Sequence, residues 1–80
     1  MTTQAEVLAA LEPLFRDILE VPELVLVDAL SARDVAEWNS LNHVRIISAA
    51  EQKFGVRLRA AELERLKTAG ELAALIASKL

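Results

Sequence analysis

Apolar side chains recur at every third or fourth position in the first part of the chain, which is the spacing of one face of an amphipathic helix. The recurring residues are Val7, Leu8, Leu11, Phe15, Ile18 and Leu19. Thr3 and Glu6 precede them with the spacing of a capping box, in which two side chains bond the free N–H groups of a helix start. The pattern predicts a helix from about Gln4 to Leu19.

This periodicity stops between Glu20 and Asn39, where Pro22 and several turn-forming residues stand. The segment predicts a long loop, and so long a connection in a small protein is usually functional or held down by its own side chains. The apolar residues expected to hold it are Leu24, Leu26, Leu30, Val35 and Trp38. A short strand at Leu24–Val27 is the alternative, but no second strand is available to pair with it.

A second helix is indicated by Asn39, a strong N-cap residue, and by the absence of any helix breaker from there to Phe54. Gly55 is expected to end this helix in a left-handed conformation. One stripe of the helix is predicted to face the core: His43, Ile46, Ile47, Ala50 and Phe54. The opposite side holds Leu41, Arg45, Ser48 and Gln52.

The last third of the chain predicts a short helix at Ala60–Leu66 and a longer one after it. Thr68 and Glu71 have capping-box spacing ahead of Leu72, Leu75, Ile76 and Leu80. The predicted fold class is therefore all-α, a bundle of three main helices plus one short helix, with a long loop between helices 1 and 2. We expect residues 1–80 to form a single domain.

Composition and charge exclude several classes of function. The chain has no Cys and one His, so we expect no metal site. Its net charge of −3 disfavours nucleic acid as a partner. The longest apolar run, 72–77, is too short for membrane insertion, and no leader pattern precedes the first helix. These features predict a cytoplasmic, monomeric protein.

Ser40 is the candidate for chemistry, because the free N–H groups and positive dipole end of a helix start favour a phosphate. From local features alone, an ordinary helix-start serine is the more frequent case. A nucleophilic pair of Ser40 and His43 is the enzyme hypothesis. It lacks a carboxylate to orient His43 and a glycine-rich turn to stabilise an oxyanion, so no catalytic residue is predicted.

The motif around Ser40 resembles that of the acyl carrier protein family. The residues that carry the resemblance run from Trp38 to Val44 (WNSLNHV), continue with Phe54-Gly55-Val56, and end with Leu63, Leu66, Thr68 and Gly70-Glu71-Leu72. The resemblance implies that Ser40 carries 4′-phosphopantetheine through a phosphodiester, and that the thiol of this arm holds acyl groups as thioesters. It also implies a phosphopantetheinyl transferase and acyl-loading and acyl-transferring enzymes as partners. A helical interaction module without a prosthetic group is the alternative.

Three departures from the family pattern concern the surface that meets these partners. Asn39 replaces the usual Asp, Arg45 and Ser48 replace acidic and apolar residues, and Leu58–Ala61 replaces an Ile-Pro pair followed by acidic residues. In this family, acidic helices meet basic patches on partner enzymes. We therefore predict a specialised carrier that binds its partners through Asn39, Leu41, Val44, Arg45 and Ser48. Val44 and Leu63 are the candidates for lining a space that shelters an apolar cargo, and plain core packing is the alternative for both.

Overall fold

The computed structural model describes residues 2–80, and four helices account for most of them. They are α1 (Gln4–Leu19), α2 (Ser40–Phe54), α3 (Ala60–Leu63) and α4 (Ala69–Lys79). Within these residues there is no strand, and one isolated bridge joins Ser31 to Thr68. The predicted fold class and the long loop are confirmed, and Leu24–Val27 is not a strand. No helix in residues 2–80 has the length and apolar character needed to cross a membrane.

Helix α1 packs against both α2 and α4, so the core lies along its apolar stripe. Phe15, Leu11 and Leu19 are the largest fully buried side chains of that stripe. Helix α2 contributes Ile46, Ile47 and Ala50, and α4 contributes Ala69, Leu72, Ala73 and Ile76. The stripes predicted from periodicity thus supply the large buried side chains of these helices. Of their members, Leu80 is exposed and five are half-buried: Leu8, Ile18, His43, Phe54 and Leu75.

The helix ends follow from local side-chain chemistry. Thr3 and Glu6 form the reciprocal capping box at the start of α1, and Gly55 ends α2 with a φ of 66°. The box predicted for α4 forms only in part. Thr68 Oγ1 accepts the N–H of Glu71 at 3.2 Å, but the Glu71 carboxylate accepts the N–H of Lys67 and not that of Thr68. The Glu71 carboxylate therefore binds the backbone one residue earlier in the chain than the predicted capping box requires.

The long loop is held against α1 by two polar side chains as well as by apolar burial. Arg16 Nε donates to the carbonyl of Leu24 at 2.7 Å, and Glu12 accepts the N–H of Leu26 at 2.9 Å. Arg16 and Glu12 are themselves paired at 3.3 Å, one helical turn apart. The predicted apolar contacts also form, because Leu24, Leu26, Val35 and Trp38 are buried and Leu30 is half-buried.

The same loop contacts the start of α4 through its backbone. The N–H groups of Ala69 and Gly70 donate to the carbonyls of Leu30 and Asp28 at 2.8 and 3.0 Å. A Cβ on Gly70 would lie 2.8 Å from the backbone of Asp28. Glycine at position 70 is therefore what lets the loop approach α4 closely enough to cap it.

Helix α3 is shorter than predicted, since it ends at Leu63 rather than Leu66. After Leu63 the backbone bonds tighten to three-residue spacing: Arg65 N–H donates to Glu62 and Leu66 N–H to Leu63. No residue of α3 is buried. Too little apolar surface is therefore covered to extend the helix to a further turn.

Candidate functional site

Ser40 is the first residue of α2, and its side chain is exposed. Asn39 precedes it as the N-cap, with Oδ1 accepting the N–H of Asn42 at 2.9 Å. The N–H of His43 donates to the carbonyl of Asn39 at 2.8 Å, which is the first bond of the helical ladder. Ser40 and Leu41 therefore keep N–H groups that have no acceptor within the helix. The structure confirms the predicted cap and places the candidate hydroxyl beside unpaired donors.

The electrostatic setting of Ser40 differs from that of the other helix starts. Helices α1, α3 and α4 each have a glutamate in the first turn, namely Glu6, Glu62 and Glu71. Helix α2 has no acidic residue there. The positive end of its dipole is therefore not compensated by a carboxylate in that turn, and a phosphate anion would be favoured at this position.

Trp38 and His43 form a fixed pair next to Ser40. The indole N–H of Trp38 donates to Nδ1 of His43 at 3.1 Å, and the two rings stack with an angle of 23° between them. On its other side, Trp38 meets Phe15 edge to face, with ring centroids 5.1 Å apart. Since an indole can only donate, Nδ1 is the accepting nitrogen and the imidazole proton lies on Nε2.

The Ser40–His43 catalytic pair is not formed. Among the hydrogen bonds of residues 2–80, none joins the side chains of Ser40 and His43. The Nδ1 atom of His43 instead accepts the indole N–H of Trp38. No group of three His, Cys, Asp or Glu side chains within residues 2–80 is arranged to hold a metal ion. The arrangement at Ser40 offers an accessible hydroxyl and donors for a phosphate, with no base in contact with that hydroxyl.

Two open, mostly apolar grooves lie along α2, and Ser40 lines the first of them. The first, of about 560 Å³, is lined by Ala32, Trp38, Asn39, Ser40, His43, Val44, Leu66, Lys67 and Leu72. The second, of about 550 Å³, is lined by His43, Val44, Ile47, Ser48, Glu51, Ala60, Leu63 and Glu64. Val44 and His43 line both grooves. The predicted lining residues Val44 and Leu63 thus lie on the second groove, on α2 and α3 respectively.

The first groove contains residues that the sequence did not assign to the site. Ala32 comes from the long loop, and Leu66 and Lys67 come from the segment between α3 and α4. Their positions depend on how the chain returns to α2, for which the sequence has no local signal. The sequence did contain a signal for the Trp38–His43 bond, because an indole and an imidazole stand five residues apart, one on each side of a helix start.

The outward side of α2 contains the remaining predicted site residues. Leu41 and Val44 are 62% and 65% exposed, which is unusual for large apolar side chains. Arg45 and Ser48 are exposed beside them. Four of the five residues predicted to bind partners therefore form one accessible stripe along α2. The fifth, Asn39, precedes this stripe as the N-cap of the helix.

Comparison with known proteins places this geometry in a family. The family model of the phosphopantetheine attachment site matches residues 9–76. The acyl carrier protein of Acidothermus cellulolyticus is 32% identical over 76 residues, which cover 95% of this chain and 90% of the relative. That of Thermosynechococcus vestitus is 36% identical over 78 residues, covering 96% and 95%. The solved holo acyl carrier protein of Geobacter metallireducens superimposes with a TM-score of 0.87 at 36% identity, covering 91% of this chain and 84% of that one.

These matches define a class of protein, the small helical carriers that hold a phosphopantetheine group and are not enzymes. This chain belongs to the acyl carrier protein family. Its prosthetic group is 4′-phosphopantetheine, attached covalently. The family, the carrier role and the prosthetic group predicted from the sequence motif are thereby confirmed.

Proposed function

We propose that Ser40 is the residue that carries 4′-phosphopantetheine, and that the protein presents acyl groups on this arm to enzymes of a specialised lipid or secondary-metabolite pathway. The observation that supports the assignment is the exposed hydroxyl of Ser40 beside the unpaired N–H groups of the α2 start. The matched family region, residues 9–76, includes this position.

The residues around Ser40 fit a phosphodiester-linked group. The first turn of α2 has N–H donors and no carboxylate, so a phosphate on Ser40 is attracted by the helix dipole and meets no like charge within that turn. When attached, the group supplies a terminal thiol on which acyl chains are held as thioesters. Val44 and Leu63 offer apolar surface that excludes water from part of such a chain.

The other three serines of residues 2–80 are poorer candidates. Ser31 Oγ donates to Asp34 and accepts the N–H of Arg33, and Ser78 Oγ donates to the carbonyl of Leu75 at 2.6 Å. Ser48 is exposed, but it lies in the interior of α2, where backbone N–H groups are bonded within the helix. Ser48 therefore serves as the matched control for Ser40 on the same helix.

The specialised role is supported by the residues on the outward side of α2. Arg45 and Ser48 are exposed there, where the family resemblance leads one to expect acidic and apolar side chains. Asn39 supplies the cap through its amide oxygen without the negative charge of an aspartate. An enzyme that recognises an acidic α2 would find different chemistry on this protein.

The test of the attachment site is modification of the apo protein with coenzyme A and a permissive phosphopantetheinyl transferase, followed by mass spectrometry. We expect the wild-type protein and Ser48→Ala to gain the mass of one phosphopantetheine, and Ser40→Ala to gain nothing. Fragmentation of the modified chain should place the added mass on Ser40. Modification of Ser40→Ala would show that another residue carries the arm, and no gain in any sample would contradict the carrier function.

A further inference from the structure

The charges of this protein are divided unevenly between two parts of the chain. Residues 40–67, which comprise α2, α3 and the segments that follow them, contain six Lys and Arg and three Glu. The remaining residues contain three Lys and Arg and nine Asp and Glu. The net charge of −3 therefore conceals a cationic part that contains Ser40 and an acidic part made by α1, the long loop and α4.

The cations of residues 40–67 are available to a partner. The ion pairs of the described chain are Arg16–Glu12 and Lys79–Glu62, and neither uses a lysine or arginine of this segment. Two of its three glutamates are occupied within the fold. Glu51 accepts the N–H of Leu58 at 2.8 Å, and Glu62 accepts the N–H of Arg59 at 3.0 Å as well as binding Lys79.

Two of these cations flank the attachment site. Arg45 is exposed on α2, beside the apolar side chains of Leu41 and Val44. Lys67 is exposed and lines the same groove as Ser40. Three exposed acidic residues also lie in this region: Glu37 three residues before Ser40, Glu64 on the second groove, and Glu71, whose carboxylate accepts the N–H of Lys67 at 3.2 Å. The accessible surface thus combines the apolar side chains of Leu41 and Val44 with the cations Arg45 and Lys67.

We propose that this surface docks on acidic patches of the enzymes that load and read the arm, with Leu41 and Val44 in the centre of the contact and Arg45 and Lys67 at its rim. The proposal rests on the proposed carrier function of Ser40 and names the kind of partner. Opposite potentials accelerate the encounter of two proteins, and like charges facing each other disfavour the complex. Because nine of the twelve acidic residues lie outside residues 40–67, the same field also orients the carrier with Ser40 towards an acidic partner.

The test uses a condensing enzyme of fatty-acid synthesis in two forms, one with its basic docking patch intact and one with the lysines and arginines of that patch changed to glutamate. The dissociation constant of each form for the holo carrier is measured at low and moderate salt. We expect wild-type carrier to bind the acidic form on the order of tenfold more tightly than the basic form, with the preference reduced by salt.

The charge-reversed carrier Arg45→Glu/Lys67→Glu should show the opposite preference. Both positions are exposed, and the hydrogen bond to Glu71 uses the backbone N–H of Lys67, so the two substitutions remove no side-chain hydrogen bond. Glutamate at four exposed positions that line neither groove changes the net charge by the same −4; these positions are Ala9, Val25, Ala36 and Ala74. This control should keep the wild-type preference.

Two outcomes overturn the proposal: tighter binding of wild-type carrier to the basic form, or an unchanged preference after charge reversal. If the preference changes equally in the control with four added glutamates, net charge decides binding, and this result would also contradict a local docking surface. Repeating the binding measurement with Ser40→Ala separates docking from arm attachment. Modification of Ser40 is measured separately by mass spectrometry, so a failure of modification can be distinguished from a failure of docking.

Discussion

Trp38 and His43 are joined by a hydrogen bond of 3.1 Å from the indole N–H to Nδ1, and this bond links the end of the long loop to the first turn of α2. Trp38 is at the same time in edge-to-face contact with Phe15 on α1. Trp38 is the last buried residue of the loop, and Asn39, the N-cap of α2, follows it directly. The position of Ser40 is therefore set from both sides, by the core through Trp38 and by the cap through Asn39.

Trp38→Phe should lower stability by about 1 to 3 kcal/mol, since it removes buried ring atoms and the hydrogen bond to His43. The proton of His43 is no longer directed to Nε2 in this variant. Nitrogen chemical shifts of His43 report this, because they distinguish the two neutral forms. Phe15→Leu is the control: it should lower stability as well, yet leave His43 with its proton on Nε2. An identical His43 spectrum in Trp38→Phe and wild type would contradict the assigned bond.

Gly70→Ala should destabilise the protein by about 1 to 3 kcal/mol, although alanine has the higher helix propensity. The added Cβ would lie 2.8 Å from the backbone of Asp28, so the loop must move away from α4. Urea unfolding measures the effect. Ala74→Gly, at an exposed position of the same helix, should cost about 1 kcal/mol through propensity alone. A stabilised Gly70→Ala variant would mean that the loop yields freely at this point.

Asn39→Asp should leave the free energy of unfolding within about 0.5 kcal/mol of wild type, because either side chain supplies the oxygen that accepts the Asn42 N–H. It should also accelerate modification by a general phosphopantetheinyl transferase, if that enzyme recognises the negative charge. Asn39→Ala, which loses the cap, should cost about 1 kcal/mol. Equal modification rates for Asn39→Asp and wild type would show that this charge is not recognised.

Glu62→Gln should alter the dependence of stability on pH. The backbone N–H of Arg59 and the ammonium group of Lys79 lower the pKa of Glu62 below its usual range. The ionised side chain therefore stabilises the fold above the ordinary glutamate pKa of about 4.3, and this contribution disappears as the pH falls through the lowered value. Unfolding measured from pH 3 to 7 should show a weaker pH dependence for Glu62→Gln.

Glu64→Gln is the matched control for that measurement, because the side chain of Glu64 forms no hydrogen bond or ion pair in residues 2–80. Its pH dependence should follow that of wild type more closely than Glu62→Gln does. A carboxyl carbon titration of Glu62 with a midpoint at the ordinary value would contradict the proposed contacts with Arg59 and Lys79.

The features that the sequence predicted well are those decided within a few residues. Thr3, Asn39 and Gly55 end or begin helices through bonds to neighbours, and their roles follow from residue type and spacing. The buried stripes of α1 and α2 follow from periodicity in the same way. Ser40 was located by its motif, and its exposure and free N–H groups follow from its place at the helix start.

What the sequence could not predict depends on contacts between distant parts of the chain. Glu12 and Arg16 look like an ordinary surface pair on α1, yet they hold the backbone of the long loop. Gly70 interrupts no pattern, but its missing side chain admits Asp28. Helix α3 ended early because its burial, which propensity does not encode, is too small to support another turn.

The lack of any buried residue in α3 has a consequence for how the molecule opens. Local unfolding free energies are lowest where few apolar contacts are made, so the amides of α3 should exchange with solvent deuterium through a small local opening. Ile46 and Ile76 are fully buried, and their amides should exchange only when the whole chain unfolds. The α3 side of the second groove can thus fluctuate on its own timescale while the three longer helices keep Ser40 in place.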